Sequence, residues 1–342
     1  MIYDMKKFVT TLVALATITF VAGTTLTSCK GTDNPAEKTS TNPADAFPKK
    51  HDTAVLLVTF GSTFEVPEKT FDNQKKFFGN AFPNTDLFIS YTSRTIINRL
   101  QAQGKEFIPP AKWMESFRGK DYKNVYVQSL HVIPGEEFTL LDRAYVHKEY
   151  NVYLEDDRRG RNNAVLGKPL LYSKEDIERV AKILVDDHKE AIKKDEVVAF
   201  MGHGNPEELH RAANQRYIDI EKAMREYAKK EYGHDHIYVA TVDFPDRLFT
   251  YLSAELKKIE GTIPAKKIHL QPLMTIVGDH ANNDMAGDYD KDARDDEQSW
   301  KVQLEKKGWT VKAHMRGLGD YKEINDIYLE HLREAIKELS EK

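Results

Sequence analysis

The amino-acid sequence predicts an α/β protein of two similar, doubly wound parallel-sheet lobes with a cleft between them. Three observations predict this class. Apolar strand-like runs alternate with amphipathic helical segments, this alternation restarts halfway along the chain, and each half carries one copy of a short repeated motif. The 342 residues exceed what one ordinary core needs. We place the lobes at 52–170 and 171–342, with the last helix as a candidate for packing on the N-terminal lobe.

The N-terminus resembles a bacterial lipoprotein signal. Lys6 and Lys7 precede an apolar run from Phe8 to Leu26, and the run ends in Leu26-Thr27-Ser28-Cys29. Residues 1–29 are therefore predicted to be a signal peptide with a lipobox. Lipidation of Cys29 would anchor the mature protein outside the cytoplasm, to the bacterial cell envelope in the periplasm or at the outer membrane. The alternative is a buried free thiol in a short N-terminal membrane helix.

The composition of the following segment and of the whole chain excludes several classes of protein. Residues 30–51 are rich in Thr, Asn, Pro and Lys, which predicts a flexible tether. The chain has 50 basic and 54 acidic residues without a basic stripe, so nucleic acid is not an expected partner. Because Cys29 is the only cysteine, an intramolecular disulfide is excluded. No later segment has the length of apolar sequence that a membrane span needs.

The N-terminal lobe is predicted to begin with a buried strand. Ala54 to Phe60 is a continuous apolar run that ends at Gly61, which is typical of a strand covered on both faces of a parallel sheet. The segments that follow are Glu65 to Phe82 (helix), Asp86 to Tyr91 (strand), Thr95 to Gln103 (helix), Val125 to Leu130 (strand) and Glu136 to Tyr150 (helix).

The C-terminal lobe repeats this order after a charged loop at Glu155 to Asn163. Its last predicted helix has one apolar face, as expected for a helix on the surface of a core. The predicted elements are helix Lys174 to Lys194, strand Val197 to Met201, helix Glu207 to Tyr232, strand Ile237 to Val242, helix Arg247 to Ile259, strand Lys267 to Leu273, a helical region through Lys306, strand Thr310 to Ala313 and helix Lys322 to Leu339.

A short internal repeat indicates duplication of one lobe. The segment VQSLHVIPGEE, which ends at Glu137, aligns with LQPLMTIVGDH, which ends at His280. The two copies follow the strand–glycine turns at Gly61 and Gly202 at nearly equal distances. Glu137 and His280 are therefore expected at equivalent carboxyl ends of equivalent strands, where open α/β sheets bind their ligands.

Metal-capable side chains follow three of the predicted strands directly, within Met201 to Gly204, Gly278 to Met285 and His131 to Phe138. A histidine between two glycines at a strand end has little steric cover and suits coordination of a metal through one ring nitrogen. The alternative for such a histidine is a simple hydrogen bond to a backbone carbonyl.

The chain resembles the anaerobic sirohydrochlorin cobaltochelatases, which are class II chelatases, in an extracytoplasmic lipoprotein form. The resemblance runs from about Asp52 to the end of the chain. It lies in the segments LLVTFGSTFE, FISYTSRTIINRL, VYVQSLHVIPGEEF, FMGHG, IHLQPLMTIVGDHANNDMAGD and QSW. It implies two chelatase-like lobes that insert a divalent metal ion into a tetrapyrrole such as sirohydrochlorin, in cobalamin-type metabolism.

The resemblance also implies the site. It places the metal and the catalysis on His203, His280 and Glu137, with Co²⁺ as the expected substrate ion, Fe²⁺ or Ni²⁺ as alternatives, and no nucleotide. These residue types suit the reaction, because imidazoles hold the ion while a carboxylate removes the two pyrrole N–H protons. Imidazole binds Co²⁺, Fe²⁺ and Ni²⁺ alike, so the residue types do not identify the ion.

Further residues are assigned around this centre. His131, Ser62, Asp243 and Phe244 are candidates for contact with the tetrapyrrole, although His131 is equally expected as a packing residue. Asp279, Asn283 and Asp284 either orient His280 or cap the following helix. Six further histidines stand in charged contexts and are predicted to be solvated: His147, His188, His210, His234, His236 and His314.

Two features leave the substrate open. The chain reads Val242-Asp243-Phe244-Pro245 where the family usually has Val-Glu, a small residue, an aromatic residue and Pro. A lipid-anchored protein also lies outside the compartment in which cobalamin precursors form. The functions considered are therefore a chelatase, a cell-envelope lipoprotein that binds haem or another tetrapyrrole for iron acquisition, and a purely structural protein. A homo-oligomer is compatible with each.

Overall fold

The structure is a computed structural model that describes residues 42–64, 66–146, 164–206 and 210–341. The predicted signal peptide, Cys29, residues 30–41 of the predicted tether, His147 and the charged loop at 155–163 lie outside the described residues. Among the residues described, no helix combines the length and the apolar character that crossing a bilayer requires.

Two four-stranded parallel sheets with the same strand order form the two lobes. The first sheet has the order β2-β1-β3-β4 and the second has the order β6-β5-β7-β8. The strands are β1 Thr53–Thr59, β2 Asp86–Tyr91, β3 Asn124–Ser129, β4 Ala164–Gly167, β5 Val197–Gly202, β6 Ile237–Thr241, β7 Lys267–Pro272 and β8 Thr310–Ala313. The predicted α/β class with two similar parallel-sheet lobes is confirmed.

Helices flank both sheets, as the continuous burial of β1 and β5 requires. The α-helices of the described residues are α1 Val66–Ala81, α2 Arg94–Ala102, α3 Pro110–Gly119, α4 Glu136–Leu140, α5 Lys174–Asp187, α6 Lys189–Ile192, α7 Arg211–Tyr232, α8 Phe249–Ile259, α9 Trp300–Lys306 and α10 Lys322–Ser340. Two π-helices, Leu141–Val146 and Ala281–Met285, follow β3 and β7 at corresponding points of the two lobes.

The repeated motif occupies equivalent positions in the two sheets. Each copy begins at the fourth residue of the third strand of its lobe, at Val127 in β3 and at Leu270 in β7. Each of these strands lies beside the central strand of its sheet, β1 or β5. Glu137 and His280 therefore follow corresponding strands at the carboxyl ends of the two sheets.

Two elements of the fold were not predicted. β4 has only four residues, too few for an alternating pattern to identify it. α3 begins with Pro110 at its first position and buries Trp113, Met114 and Phe117 against β1 and β3. The apolar residues of α3 are concentrated in a single turn and a half, which gives a weaker helical pattern than the longer helices show.

Residues 42–51 pack on the N-terminal lobe, where the sequence predicts a flexible tether. Pro43–Ala46 forms a 3₁₀-helix capped by the side chain of Asn42, and Ala44 is fully buried. The Phe47 ring contacts the Trp113 ring with centroids 5.1 Å apart. The alanine and the phenylalanine of this otherwise polar segment pack against apolar residues of α3. The composition of the segment alone does not reveal this packing.

The last helix of the C-terminal lobe crosses to the N-terminal lobe. α10 packs against β3 and β4, so closely that a Cβ on Gly167 would lie 3.1 Å from the Cα of Leu332. The Tyr328 hydroxyl of α10 donates to the carbonyl of Leu130 at 3.0 Å. The Thr275 hydroxyl, which follows β7, donates to the same carbonyl at 2.5 Å. These buried hydrogen bonds fix the carboxyl ends of the two sheets relative to each other.

Candidate metal centre

A cleft of about 480 Å³ lies at the carboxyl ends of both sheets. Residues from both lobes line it, as expected for ligand sites in open α/β sheets. Its apolar lining includes Phe60, Leu130, Ile133, Leu273, Met274 and Ile276, and its polar lining includes Arg99, His131, Glu137, His203, Asp243, Asp279 and His280. An apolar surface with a few convergent polar groups is typical of a small-molecule site.

His203 follows β5 directly and stands between two glycines that the packing requires. A Cβ on Gly202 would lie 2.4 Å from the Tyr217 ring, and Gly204 has a left-handed φ of +86°. The Nδ1–H of His203 donates to the carbonyl of Gly204 at 2.8 Å, which leaves the Nε2 lone pair free. Burial lowers the pKa of His203, more than the Gly204 hydrogen bond raises it, so the ring stays neutral.

Replacing Gly204 with alanine is expected to lower the free energy of unfolding by about 3–4 kcal/mol, the sum of left-handed strain and overpacking. The overpacking arises because the new Cβ would lie 2.5 Å from the backbone nitrogen of Phe244. Gly233→Ala is the matched control, since Gly233 has a φ of +85° with open space around it. It should lose only about 1–2 kcal/mol. Equal losses in urea unfolding of the two variants would contradict this packing.

His280 reaches the cleft from the end of the loop after β7, at the start of the π-helix. Its ring and the His203 ring have centroids 4.9 Å apart and planes at 76°. The Nδ1–H of His280 donates to the Asp284 carboxylate at 2.6 Å, so Nε2 again keeps the lone pair. Burial lowers the pKa of His280, but the hydrogen bond and the charge of Asp284 outweigh it and the net pKa is raised.

Glu137 enters the same cleft from the first turn of α4, in the opposite lobe. Its Oε2 atom is buried and makes no hydrogen bond within the described part of the protein. Burial raises the pKa of Glu137, the nearby Glu136 raises it further, and a hydrogen bond from Thr92 only partly opposes the rise. A buried carboxylate oxygen without a partner is costly, so this atom is suited to accept a proton or a positive ion that arrives in the cleft.

Asn205 joins the loops that carry His203 and Glu137. Its side-chain oxygen accepts a hydrogen bond from the backbone N–H of Glu136 at 3.0 Å, which caps α4 from the other lobe. The same asparagine is itself held by Asn214 of α7. The sequence analysis missed Asn205. The residue stands only two positions after His203, but its partner lies far away in the sequence.

The structure separates the predicted substrate contacts into two groups. His131 and Asp243 line the cleft. Ser62 and Phe244 are buried behind the cleft wall, where the Ser62 hydroxyl accepts from the Phe64 N–H and Phe244 packs beneath Gly204. Neither Ser62 nor Phe244 lines the cleft, so contact of these two residues with the tetrapyrrole stays a prediction.

The three residues assigned around His280 also have different surroundings. Asp284 alone hydrogen-bonds the His280 ring. Asp279 lines the cleft but accepts from the Thr63 hydroxyl at 3.0 Å, across the lobe boundary. Asn283 is exposed and is not part of the cleft lining. Asp284 is therefore the residue that orients His280, because the side chain at position i+4 of a helical turn lies beside the ring.

A cationic side chain that sequence reasoning missed stands in the cleft. Arg99 of α2 lines it, with its side chain 57% exposed and 3.5 Å from the Asp279 carboxylate. His131, by contrast, is buried, and burial lowers the pKa of its imidazole to about 4. Only the folded cleft distinguishes Arg99 from the other arginines of the chain, because its sequence context is that of an ordinary helix.

Comparison with known proteins identifies the family. The model of the cobalt chelatase (CbiK) family matches residues 53–337. The chain belongs to this family. It is 31% identical over 290 residues to the sirohydrochlorin cobaltochelatase CbiKC of Nitratidesulfovibrio vulgaris, a match covering 84% of this chain and 92% of that protein. It is 27% identical over 285 residues to the sirohydrochlorin cobaltochelatase of Salmonella typhimurium, covering 83% and 96% respectively.

A solved structure shares the fold. SirB from Bacillus subtilis, determined with Fe³⁺, superposes with a TM-score of 0.54 over 85% of this chain and 98% of that one. The sequence identity is 14%, so this similarity concerns the arrangement of strands and helices.

Proposed function

We propose that this cobalt chelatase family member inserts a divalent metal ion, Co²⁺ foremost, into sirohydrochlorin or a closely related tetrapyrrole. The observation that carries the proposal is the pairing of two imidazoles, His203 and His280, in one cleft with a buried carboxylate oxygen of Glu137 that has no hydrogen-bond partner among the described residues. The relatives named sirohydrochlorin cobaltochelatases cover most of the chain and support the same substrate.

In this mechanism the two imidazoles first take the ion from water. The Nε2 lone pairs of His203 and His280 replace two of its water ligands, and the fixed Nδ1 hydrogen bonds hold both rings in the required tautomer. Carboxylate and imidazole suit Co²⁺, Fe²⁺ and Ni²⁺ alike, so the choice of ion rests on geometry and supply.

Insertion then exchanges two pyrrole protons for one divalent ion. The Glu137 carboxylate accepts a pyrrole N–H proton, for which its raised pKa makes it a stronger base than an exposed glutamate. The ring nitrogens bond to the ion as its bonds to His203 and His280 break, and both protons finally pass to solvent. The apolar lining supports the face of the macrocycle, and Arg99 stands where it can pair with a carboxylate substituent of the ring.

A spectroscopic assay tests the proposal. The full chain in detergent is mixed with Co²⁺ and sirohydrochlorin, and separately with haem, while the absorption bands of each ring are followed. Protein-dependent conversion of the sirohydrochlorin spectrum to that of its Co²⁺ complex supports insertion. Tight haem binding without any insertion would instead support the second candidate, a tetrapyrrole-capturing lipoprotein, which the signal ending at Cys29 favours.

Asp284→Asn is expected to raise the KM for Co²⁺ about 10–100-fold, the usual effect of removing a carboxylate behind a metal-bound histidine. The substitution should also lower the pKa of His280, because the carboxylate is what raises it. Asp288→Asn is the control, since that side chain is 97% exposed and pairs with Lys301. Steady-state rates and NMR titration of the His280 ring check both effects. An unchanged KM in Asp284→Asn would contradict the assigned role.

The rate at subsaturating Co²⁺ should fall as the pH is lowered from 8 to 5. His280 has a raised pKa, so in the metal-free protein it becomes protonated first, at a pH above the usual 6.5, and the proton competes with Co²⁺. Glu137, with its raised pKa, loses its basic form at a higher pH than an ordinary glutamate. In Asp284→Asn the onset of the decline should move to lower pH. A rate that stays flat from pH 8 to pH 5 would exclude these histidines as ligands.

The proposed location is the bacterial cell envelope, with the mature protein anchored through acyl chains on Cys29. The support is the sequence alone, namely the apolar run that ends in Leu26-Thr27-Ser28-Cys29. Cells given labelled palmitate should incorporate it into the protein and lose this label in Cys29→Ser. Unlabelled wild-type protein in the soluble fraction would contradict the anchor.

A further inference from the structure

A second group of histidines lies in the C-terminal lobe, apart from the cleft. His188, His269 and His314 each place one ring nitrogen within 4.8 Å of the other two. His269 and His188 are 5% and 3% exposed, and His314 is half-buried. The prediction that His188 and His314 are solvated is therefore wrong, because the fold brings their two charged segments together beside His269 of β7.

The ends and strands of three secondary-structure segments position these rings. The predicted helix 174–194 breaks at His188, which has non-helical angles of φ −98° and ψ 8° and separates α5 from α6. This break turns the imidazole against Phe200 of β5, with ring centroids 5.5 Å apart. His269 projects from the middle of β7, and His314 directly follows β8. A histidine that is simply buried can lie within a continuous helix, so burial alone does not explain why a helix ends at this position.

Hydrogen bonds fix the tautomers of two of the rings. The Nε2 of His269 lies 2.7 Å from the Glu196 carboxylate, which can only accept, so Nδ1 keeps the lone pair. The Nε2 of His188 lies 2.6 Å from the side-chain oxygen of Gln271, whose amide nitrogen donates to the Arg316 carbonyl, so this Nε2 is also a donor. A second ring nitrogen bound to a carboxylate or an amide oxygen is what metal-ligating histidines typically show.

The third ring completes the arrangement. In the metal-free protein the Nε2–H of His314 donates to the Nδ1 of His269 at 2.8 Å, and the two rings stack with centroids 5.0 Å apart. To bind an ion through Nε2, the His314 ring takes the tautomer with its proton on Nδ1. Two imidazole nitrogens on one tetrahedral ion stand about 3.3 Å apart, so this contact needs to open by only about 0.5 Å. Burial, together with the neighbouring His188 and His269, lowers the pKa of His314 to about 4, and burial lowers the pKa of those two rings as well. All three are therefore neutral near pH 7, as metal binding needs.

We propose that His188, His269 and His314 bind one divalent transition-metal ion in a site separate from the cleft. Three imidazoles without a thiolate suit Zn²⁺, Co²⁺ and Ni²⁺. His269 lies four residues before the cleft residue Leu273, which is about 13 Å along an extended strand, so the two sites hold different ions. A bound ion would tie the end of α5 to β7 and β8 and so stabilise the lobe that carries His203 and His280.

Co²⁺ binding to full-length chains tests this proposal independently of any chelatase activity. The reference is the double variant His203→Ala/His280→Ala, in which the cleft imidazoles are absent. We expect it to bind one Co²⁺ per chain in equilibrium dialysis, with a visible d–d absorption spectrum. Adding His314→Ala should weaken this binding at least 100-fold, and adding Glu196→Gln should weaken it about 10–100-fold. Adding His210→Ala, which lies outside both groups, should change nothing.

Folding of each variant is checked by circular dichroism without metal, and Glu196→Gln keeps the shape of the replaced side chain if an alanine variant does not fold. The reference variant should also melt at a higher temperature with Co²⁺ than without it. The proposal is overturned if the reference variant binds no Co²⁺, or if folded His314→Ala and Glu196→Gln chains bind Co²⁺ as tightly as the reference.

Discussion

Glu137→Gln is expected to slow insertion of Co²⁺ into sirohydrochlorin about 10²–10⁴-fold, the usual contribution of a positioned general base. Glutamine has nearly the same shape and keeps one carbonyl oxygen, but it cannot accept a pyrrole proton. The Oε2 position is buried in the cleft without a hydrogen-bond partner in the part of the chain that the structure describes, so the loss should appear in kcat more than in the KM for Co²⁺.

Glu136→Gln is the matched control for this variant. Glu136 is the preceding residue of α4 and is exposed. Its backbone N–H, which bonds Asn205, is unchanged by the substitution, and its charge adds less to the raised pKa of Glu137 than burial does. We expect Glu136→Gln to lose far less of the rate than Glu137→Gln. Equal rates in the two variants and the wild type would remove Glu137 from the proton-transfer step.

His203→Ala and His280→Ala are each expected to reduce kcat/KM for Co²⁺ by more than about 100-fold, since removal of a residue behind a metal ligand already costs up to that factor. The ring centroids lie 4.9 Å apart, and in the proposed mechanism both rings bind the same ion. The double variant should therefore be little worse than either single variant, because residues that act as a unit are not additive.

His234→Ala provides the comparison for these histidine variants. His234 is partly exposed and pairs with Asp195 at 2.9 Å, away from the residues that line the cleft. Its removal should leave kcat/KM for Co²⁺ unchanged. A wild-type rate in either His203→Ala or His280→Ala would show that the ion is held elsewhere during insertion.

The fold was predictable from sequence because each central strand is a continuous apolar run. β1 and β5 are buried on both faces, and the strand patterns of β2 and β8 gave their bounds to the residue. Short elements such as β4 were not predictable, because four residues carry too little pattern. The break at His188 was missed for a different reason. At the break the His188 ring hydrogen-bonds Gln271, a tertiary contact that the local sequence does not reveal.

The candidate site was predictable as far as its residues follow strands. Their positions soon after strand ends made His203, His280 and Glu137 candidates, the family resemblance implied that they form the metal site, and all three line one cleft in the structure. Residues whose role depends on a partner from the other lobe were missed, as Asn205 and Arg99 show. The second histidine group was missed for a similar reason, since His188 and His314 stand in charged stretches that resemble an ordinary surface and only the fold brings them to His269.

The most direct test of the central claim is the location of Co²⁺ in a crystal of the protein soaked with this ion, determined by anomalous scattering at the cobalt edge. The account predicts a peak between the two cleft rings, about 2.1 Å from the Nε2 atoms of both His203 and His280, with the Glu137 carboxylate facing the same cavity. A crystal soaked at a saturating Co²⁺ concentration that shows no cobalt peak between these rings would contradict it.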